Sequence, residues 1–264
     1  MAGVVLRGGG DLATGVALRL HRAGLRVVIT ELGRPLAVRR AVCFSEAVYE
    51  RSWTVEGVTA VRADSLQQAL QAADRGEIPV LVAPSLAPLA ARPLEVLVDA
   101  RLTKRAPETD SSVASLVIGL GPGFVAGIHC HAVVETLRGH TMGRVYWSGS
   151  AVPDTGIPDG DPRRVCRAPN DGTLVGRVEI GDRVAAGQVI AEIGGVAVAS
   201  PFGGVVRGLI RPGMVVSRGM KIGDVDPRGV RGDCFLVSDK ALAVGGGVLE
   251  AILSREDLRR RAWD

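Results

Sequence analysis

Aromatic side chains and dense runs of positive charge are both scarce in this chain. Only nine of its 264 residues are aromatic, and its formal net charge of +4 arises from basic residues scattered along the sequence. Proteins that bind nucleic acids concentrate basic residues on one surface and often stack bases on aromatic rings. We therefore expect no nucleic-acid partner, and a small phosphorylated or carboxylated ligand suits this composition better.

Long apolar runs and paired cysteines are also missing. The longest apolar stretches, such as Ile78–Ala91, contain prolines and are shorter than the roughly 20 residues that span a bilayer. The N-terminus lacks the order of residues that marks a secretory signal. The cysteines Cys43, Cys130, Cys166 and Cys234 form no CxxC pair, which argues against a disulfide framework or a zinc site. We expect a cytoplasmic protein with reduced thiols, no bound metal and no membrane contact.

The first half of the chain has the pattern of an α/β domain. The first thirty residues read as strand, glycine turn, helix and strand, and a second helix is predicted from Ser65 to Gly76. Apolar runs that predict strands are Val4–Leu6, Val27–Ile29, Val80–Ala83, Val96–Val98 and Leu116–Leu120. Short apolar strands separated by helices indicate a parallel sheet covered on both faces. We predict a Rossmann-like domain over residues 1–150.

The pattern changes after Trp147. Residues 151–164 are rich in Gly, Pro and Asp and read as a linker. Residues 165–228 contain two similar copies of about thirty residues, which predicts a quasi-twofold all-β sandwich. They resemble the biotinyl/lipoyl-type barrel-sandwich fold, but the hairpin Ile193–Val196 has no lysine. The resemblance therefore implies the fold, inserted in or appended to the α/β domain, and no biotin or lipoate.

Residues 229–264 return to mixed structure. Cys234–Ser238 is predicted as a strand, and Ser238 as the N-cap of a helix that packs back on the α/β domain. Gly245, Gly246 and Gly247 interrupt this helix, and each costs about 1 kcal/mol relative to alanine. Close packing against the sheet or the approach of a ligand would compensate for that cost.

A glycine turn between the first strand and the first helix is the first candidate binding site. Gly8, Gly9, Gly10 and Asp11 begin a G-x-G-x-x-A pattern, and Glu31 ends the second strand. In dinucleotide folds such glycines admit a pyrophosphate to the helix N-terminus, and the acidic residue binds the ribose. Asp11 would repel a phosphate, although it could serve as the helix N-cap. The turn therefore predicts a phosphate ligand, with a purely structural turn as the alternative.

A second group of candidates follows another predicted strand. Asp99, Arg101 and Lys104 lie just after it, at the carboxyl edge where open α/β sheets bind ligands. Asp99 could orient Arg101 towards a phosphate, or the two could form an ordinary ion pair in a solvated loop.

A third candidate is the glycine-rich turn with Gly119, Gly121 and Gly123, which follows a buried strand. Glycines allow the backbone to approach a ligand closely. We therefore predict a second anion-binding turn here.

Reactive side chains follow that turn, and three roles are open for them. If a helix begins near Gly127, His131 and Glu135 lie on one face and could bind a metal with a third ligand. Cys130 could be a nucleophile or sulfur carrier, because flanking imidazoles favour the thiolate. Alternatively, the imidazoles and the carboxylate only pack and hydrogen-bond within an anion-binding turn.

Several segments together resemble one family. RGGGDLATG, RRAVCFSEAVYE, VDARLTKR, VIGLGPGFVAGIHCHAVVET and SDKALAVGGGVLEAI resemble the YqeB-type proteins of the selenium-dependent molybdenum hydroxylase system. VDAR at a strand end is also similar to XdhC-type maturation factors of molybdenum enzymes. The resemblance implies a cytoplasmic accessory factor that helps to supply a molybdopterin cofactor, which can contain selenium, to a hydroxylase.

Three hypotheses follow. In the first, the chain is a maturation factor whose two glycine turns bind the phosphates of a molybdopterin or nucleotide, while Cys130 presents sulfur or selenium. In the second, it is an NAD-dependent oxidoreductase that uses Gly8–Gly10 and Glu31, whose carboxylate favours NAD over NADP. In the third, it is a non-catalytic module that docks a molybdenum hydroxylase client. Whether the protein is an enzyme stays open, and we expect a homo-oligomer.

Overall fold

The computed structural model describes residues 3–89, 93–153 and 160–261. Contacts within the chain divide it into two compact units. The first unit comprises Met1–Pro35, Phe44–Thr155 and Val237–Asp264, and the second comprises Leu36–Cys43 and Gly156–Leu236.

The first unit is built on a sheet of nine strands. The strands of this unit are β1 (Gly3–Arg7), β2 (Arg26–Glu31), β3 (Ser52–Val55), β4 (Val58–Ala63), β5 (Ile78–Val82), β6 (Leu94–Asp99), β7 (Ala114–Leu120), β8 (Val125–Ala126), β9 (Ala132–Val134), β10 (Val145–Tyr146) and β11 (Gly149–Ser150). β8 and β11 form a separate two-stranded sheet. All five strands predicted from apolar runs occur, which confirms the α/β class.

The order across the large sheet is β10-β9-β7-β6-β1-β2-β5-β4-β3. Neighbouring strands are parallel except for the edge pairs β3–β4 and β9–β10. The central strands are buried apolar runs without alternation, as expected for strands covered on both faces. The β3–β4 hairpin turns at Glu56 and Gly57, both of which have positive φ.

Five α-helices occur among the described residues: α1 (Asp11–Arg22), α2 (Ala47–Glu50), α3 (Leu66–Asp74), α4 (Asp239–Leu253) and α5 (Glu256–Arg261). The predicted caps are confirmed, because Ser65 accepts a hydrogen bond from the Gln68 N–H and Ser238 accepts one from the Ala241 N–H. Among the described residues, none of these helices has both the length and the apolar character needed to cross a membrane.

Helix α4 returns to the first unit and packs against α1. A Cβ on Gly15 would lie 2.5 Å from the Ala241 carbonyl oxygen, and one on Gly245 would lie 2.7 Å from the Gly15 oxygen. A Cβ on Gly247 would clash with the Gly143 oxygen at 2.1 Å. Close packing therefore accounts for two of the three helix glycines.

The second unit consists of two four-stranded antiparallel sheets. Its strands are β12 (Val165–Arg167), β13 (Gly172–Gly176), β14 (Arg183–Val184), β15 (Val189–Ile193), β16 (Val196–Ala199), β17 (Gly204–Leu209), β18 (Val215–Val216) and β19 (Lys221–Asp226). The sheet orders are β12-β19-β17-β14 and β16-β15-β13-β18.

These orders show the internal repeat predicted from the sequence. Strands β12 to β15 occupy the same places as β16 to β19, so the two sheets have equivalent orders. Each half contributes two strands to each sheet, and β14 pairs with β17 while β18 pairs with β13. Neither half can therefore complete a four-stranded sheet alone.

One strand prediction is wrong, helices do not separate all the strands, and the predicted domain limits differ from the contact-based division. The strand predicted at Cys234–Ser238 does not occur, since Arg231–Cys234 is a 3-10 helix followed by irregular chain. The described residues between β6 and β7 contain no α-helix, so helices do not separate all the strands. The contact-based units also place 36–43 and 229–236 with the β strands. Of the predicted linker, residues 154–159 lie outside the described residues.

Candidate functional site

Four strand ends meet at one edge of the large sheet. Arg7 of β1 is in register with Asp99 of β6, Asp99 with Gly119 of β7, and Leu120 with Val134 of β9. The chain proceeds to one side of β1 through β2 and to the other side through β6. Ligands of open α/β sheets bind outside the carboxyl ends of the strands at such a reversal.

The first glycine turn lies at this reversal. Gly8 has φ of +101°, and a Cβ on Gly9 would lie 3.1 Å from the Ser45 nitrogen, so backbone geometry and packing explain both glycines. A Cβ on Gly10 would meet no atom within 4 Å. Gly10 is the N-cap of α1, and no side chain caps this helix. Asp11 is therefore the first helical residue, and its predicted role as N-cap is wrong.

Glu31 bonds directly to the glycine turn. Its Oε2 accepts a hydrogen bond from the Gly9 N–H at 2.7 Å, and its Oε1 accepts one from the Leu32 N–H at 2.7 Å. Burial raises the pKa of Glu31, and the two backbone hydrogen bonds oppose that shift. Glu31 and the glycine turn are thus neighbours, as predicted, and a direct hydrogen bond joins them.

Asp99 and Arg101 form an ion network. The Arg101 Nε and Nη2 atoms donate to the two Asp99 carboxylate oxygens at 3.0 and 2.8 Å, and the Thr109 hydroxyl donates to Asp99 at 2.6 Å. Arg7 Nη1 lies 3.7 Å from the same carboxylate. Asp99 therefore pairs with Arg101 and occupies much of the guanidinium's hydrogen-bonding capacity.

The second glycine turn is explained mainly by internal packing. A Cβ on Gly119 would lie 2.2 Å from the Phe124 ring, and one on Gly123 would lie 2.3 Å from the Thr103 carbonyl oxygen. Gly121 has φ of +88° at the turn after β7. Gly119 and Gly123 are therefore needed for the close packing of Phe124 and Thr103. The sequence instead predicts the approach of a ligand as the reason for these two glycines.

Cys130 is a core residue. Its side chain is 0% exposed within the hydrophobic cluster that includes Phe124 and Val133. Burial raises the pKa of the thiol to about 11, while hydrogen bonding from the Gly119 backbone opposes the shift. The prediction that the surroundings of Cys130 favour the thiolate is wrong, because the thiol is buried. The flanking imidazoles of His129 and His131 accept hydrogen bonds from the Val125 and Val117 N–H groups.

The helix predicted to begin near Gly127 does not form. The chain makes a turn and enters strand β9, so His131 and Glu135 do not share a helix face. His131 Nδ1 accepts a hydrogen bond from the Val117 N–H at 2.9 Å, and burial lowers the pKa of this imidazole. No group of three or more His, Cys, Asp or Glu side chains that could bind a metal occurs in the described part of the chain.

Glu135 organises the backbone beyond β9. This fully buried carboxylate accepts hydrogen bonds from the N–H groups of Thr136, Leu137 and Val152 at 2.7, 2.7 and 2.8 Å. Its role is structural support, since three backbone donors from two segments converge on one carboxyl group.

A cleft of about 220 Å³ lies beside the backbone segments that Glu135 holds together. Its polar lining consists of Lys104 after β6, Lys240 in the first turn of α4, and Thr136 after β9. Its apolar lining consists of Leu12, Leu102, Pro122, Leu137 and Val152. Three of the lining residues are those whose N–H groups Glu135 binds, so this carboxylate shapes one wall of the cleft.

The structure thus brings together only part of the predicted site. Lys104 lines the cleft, whereas Arg101, three residues earlier, pairs with Asp99. The sequence reasoning missed Lys240 and Thr136. The rarity of lysine could have pointed to Lys240, since only three of the 32 Lys and Arg residues are lysines.

The chain is similar to a protein of Escherichia coli K12 described as the uncharacterized protein YqeB. The two are 48% identical over 254 residues, which is 95% of this chain. The chain is of the YqeB type. It spans 47% of that relative, about half of its length. No protein-family model matches the chain.

Two solved structures are similar only at a low level. The ectoine utilization protein EutE (DoeB) from Ruegeria pomeroyi, with product bound, is 11% identical with a TM-score of 0.24, over 84% of this chain and 56% of the other. An aspartoacylase family protein from Mesorhizobium loti is 11% identical with a TM-score of 0.26, over 85% of this chain and 84% of the other. Both TM-scores are below one half, so neither similarity assigns a fold or a function to this chain.

Proposed function

We propose that this YqeB-type chain is an accessory factor in the maturation of a molybdenum hydroxylase, in a selenium-dependent system. In this role it binds a phosphate-bearing molybdopterin or nucleotide at the carboxyl edge of the nine-stranded sheet. We assign the pathway from the resemblance of the sequence motifs. We assign the ligand class from the cleft beside β6, β9 and α4. The cleft with its two lysines is the observation that carries the ligand assignment.

The physical argument for a phosphate ligand combines position and charge. The cleft adjoins the reversal of strand order, where Rossmann-like sheets bind ligands. It also adjoins the first turns of α1 and α4, where Leu12 and Lys240 lie, and helix N-termini favour anions. We interpret the sheet as Rossmann-like on these grounds.

Anaerobic titration of the full chain with cofactor released from a molybdoenzyme tests this function. We expect saturable binding, which the change in absorbance of the pterin measures. An XdhC-type maturation factor serves as the positive control. Failure of the chain to bind, in conditions where the control binds, would contradict the proposal.

The contact between Glu31 and the Gly9 N–H favours an NAD-dependent oxidoreductase as a second candidate. The carboxylate lies where dinucleotide folds place the group that binds ribose hydroxyls. Calorimetry with NADH distinguishes the two functions. Absence of saturable binding at millimolar NADH rejects this candidate.

Two earlier expectations remain predictions about partners. We interpret the two four-stranded sheets as a barrel-sandwich module, which would dock a molybdenum hydroxylase client, and we expect a homo-oligomer. Presentation of sulfur or selenium by Cys130 is not part of the proposed function, because the thiol is buried and its pKa is raised.

A further inference from the structure

Lysine is rare in this chain, and its placement is uneven. The sequence has 32 Lys and Arg residues, but its only lysines are Lys104, Lys221 and Lys240. Two of these three line the same cleft. A lysine ammonium is a compact charge on a flexible stem, and it is a common phosphate ligand in proteins.

Thr136 adds a neutral donor to the two charges. It lines the cleft although the residue is only 8% exposed. Its N–H bonds to Glu135, while its hydroxyl makes no hydrogen bond to the described residues. A threonine hydroxyl can donate a hydrogen bond, so Thr136 adds a donor without charge to the lining of the cleft.

Negative groups near the cleft do not line it. Asp239 precedes Lys240, but Arg138 donates two hydrogen bonds to the Asp239 carboxylate at 2.7 and 2.6 Å. Asp11 precedes Leu12 and is also outside the lining set. No carboxylate is among the described lining residues, so the polar part of the lining is complementary to an anion.

Size and the apolar walls restrict the rest of the ligand. At about 220 Å³, the cleft is smaller than the roughly 300–1,000 Å³ of sites for drug-sized ligands. Five apolar side chains from separate segments surround the polar groups. Such walls suit the faces of one flat ring system and not the two sugars and two bases of a dinucleotide.

We infer that Lys104, Lys240 and Thr136 bind the phosphate of a compact phosphomonoester whose ring packs against the apolar walls of the cleft. This inference rests on the proposed function and specifies the ligand class of its site. It differs from the glycine-turn sites expected from the sequence, because the phosphate contacts side chains of three separate segments.

Two-dimensional NMR of the full chain, with phenyl phosphate as the probe, tests the inference. We expect saturable shifts of the Thr136 and Leu137 amides, and at least about tenfold weaker binding of phenol, which lacks the charge-assisted hydrogen bonds. Lys104→Gln and Lys240→Gln should each weaken phenyl phosphate about tenfold. Lys104→Arg and Lys240→Arg keep the charge and should retain most of the affinity.

Arg218→Gln is the matched control, because it removes one exposed positive charge in the second unit. An equal loss of affinity in this variant, or equal binding of phenol and phenyl phosphate, overturns the inference. The inference is also overturned if NADH shifts the same amides at a lower concentration than phenyl phosphate does. Unchanged thermal unfolding of each variant shows that lost binding is not lost folding.

Repeating the cofactor titration with the lysine variants separates the two proposals. If wild type and both Gln variants bind molybdopterin equally, the lysine site is wrong and the proposed function stands. If phenyl phosphate binds at the lysines while molybdopterin does not bind at all, the site stands and the proposed function is wrong.

Discussion

At the residue scale, Glu135 shows how one buried carboxylate can define a wall of the cleft. It accepts three backbone hydrogen bonds from Thr136, Leu137 and Val152. Glu135→Ala leaves these donors without their acceptor, and unsatisfied buried donors are costly. We expect the free energy of unfolding in urea to fall by about 3 kcal/mol.

Asp74→Ala is the control for removing a carboxylate. Asp74 forms an exposed ion pair with Arg26 at 3.1 Å, and exposed pairs contribute less than about 1 kcal/mol. Equal effects of the two substitutions would show that Glu135 does not support the wall.

His131 gives the first unit a pH-dependent stability. Burial, and secondarily Arg255, lowers its pKa in the folded protein below the ordinary value of 6.5. As the pH falls below 6.5, the unfolded chain binds the proton first, so stability decreases. Because asparagine Oδ1 can accept the Val117 N–H as His131 Nδ1 does, His131→Asn should flatten this slope between pH 6.5 and 5. An unchanged slope in denaturant unfolding contradicts the assignment.

Cys130 should behave as an inert thiol. With a pKa of about 11, only about one thiol in a thousand is ionised at pH 8, and the thiolate is the nucleophile. The other three cysteines are also buried. We expect the native protein to react with iodoacetamide only as fast as it unfolds, and Cys130→Ser to retain cofactor binding. Rapid alkylation of one thiol in the native state would restore a reactive role.

At the scale of elements, helix α4 carries two kinds of glycine. A Cβ on Gly245 or Gly247 would meet backbone oxygens at 2.7 or 2.1 Å, whereas one on Gly246 would meet nothing within 4 Å. Gly246→Ala should therefore raise the free energy of unfolding by about 0.5–1 kcal/mol. Gly245→Ala and Gly247→Ala should lower it and disturb the packing of α4. Thermal melts of the three variants test this, and a stabilising Gly247→Ala would contradict it.

Local patterns predicted most elements but not all. The helix from Ser65 was readable because its cap and its apolar face are both local. The β3–β4 hairpin was missed, although its alternation and the Glu56-Gly57 turn are local signals as well. The helix expected after Gly127 failed because its apolar residues enter the sheet as β9, and that pairing is not local.

At the scale of the molecule, Leu36–Cys43 belongs to the second unit although it lies early in the chain. Arg40 Nε donates to the Leu209 carbonyl at 3.1 Å, and a Cβ on Gly208 would lie 2.8 Å from the Val38 oxygen. Gly208→Ala should therefore speed hydrogen exchange in 36–43 together with the strands of 160–236. Mass spectrometry of the exchanged peptides measures this directly.

Gly232→Ala is the control in the same unit, since a Cβ there meets nothing within 4 Å. It should leave exchange in 36–43 unchanged. If Gly208→Ala speeds exchange in α1 and α4 but not in 36–43, the assignment of this segment to the second unit is wrong.

The sequence alone determined the strand–turn–helix unit at the N-terminus, the two serine caps and the repeat in the β unit. Each is encoded within a few residues or by the similarity of two adjacent segments. Only the tertiary structure decided that Cys130 is buried, that Asp99 engages Arg101, and that Lys104 and Lys240 meet at one cleft. The reason is physical, because burial, ion pairing and convergence depend on contacts between distant segments, which spacing along the chain does not specify.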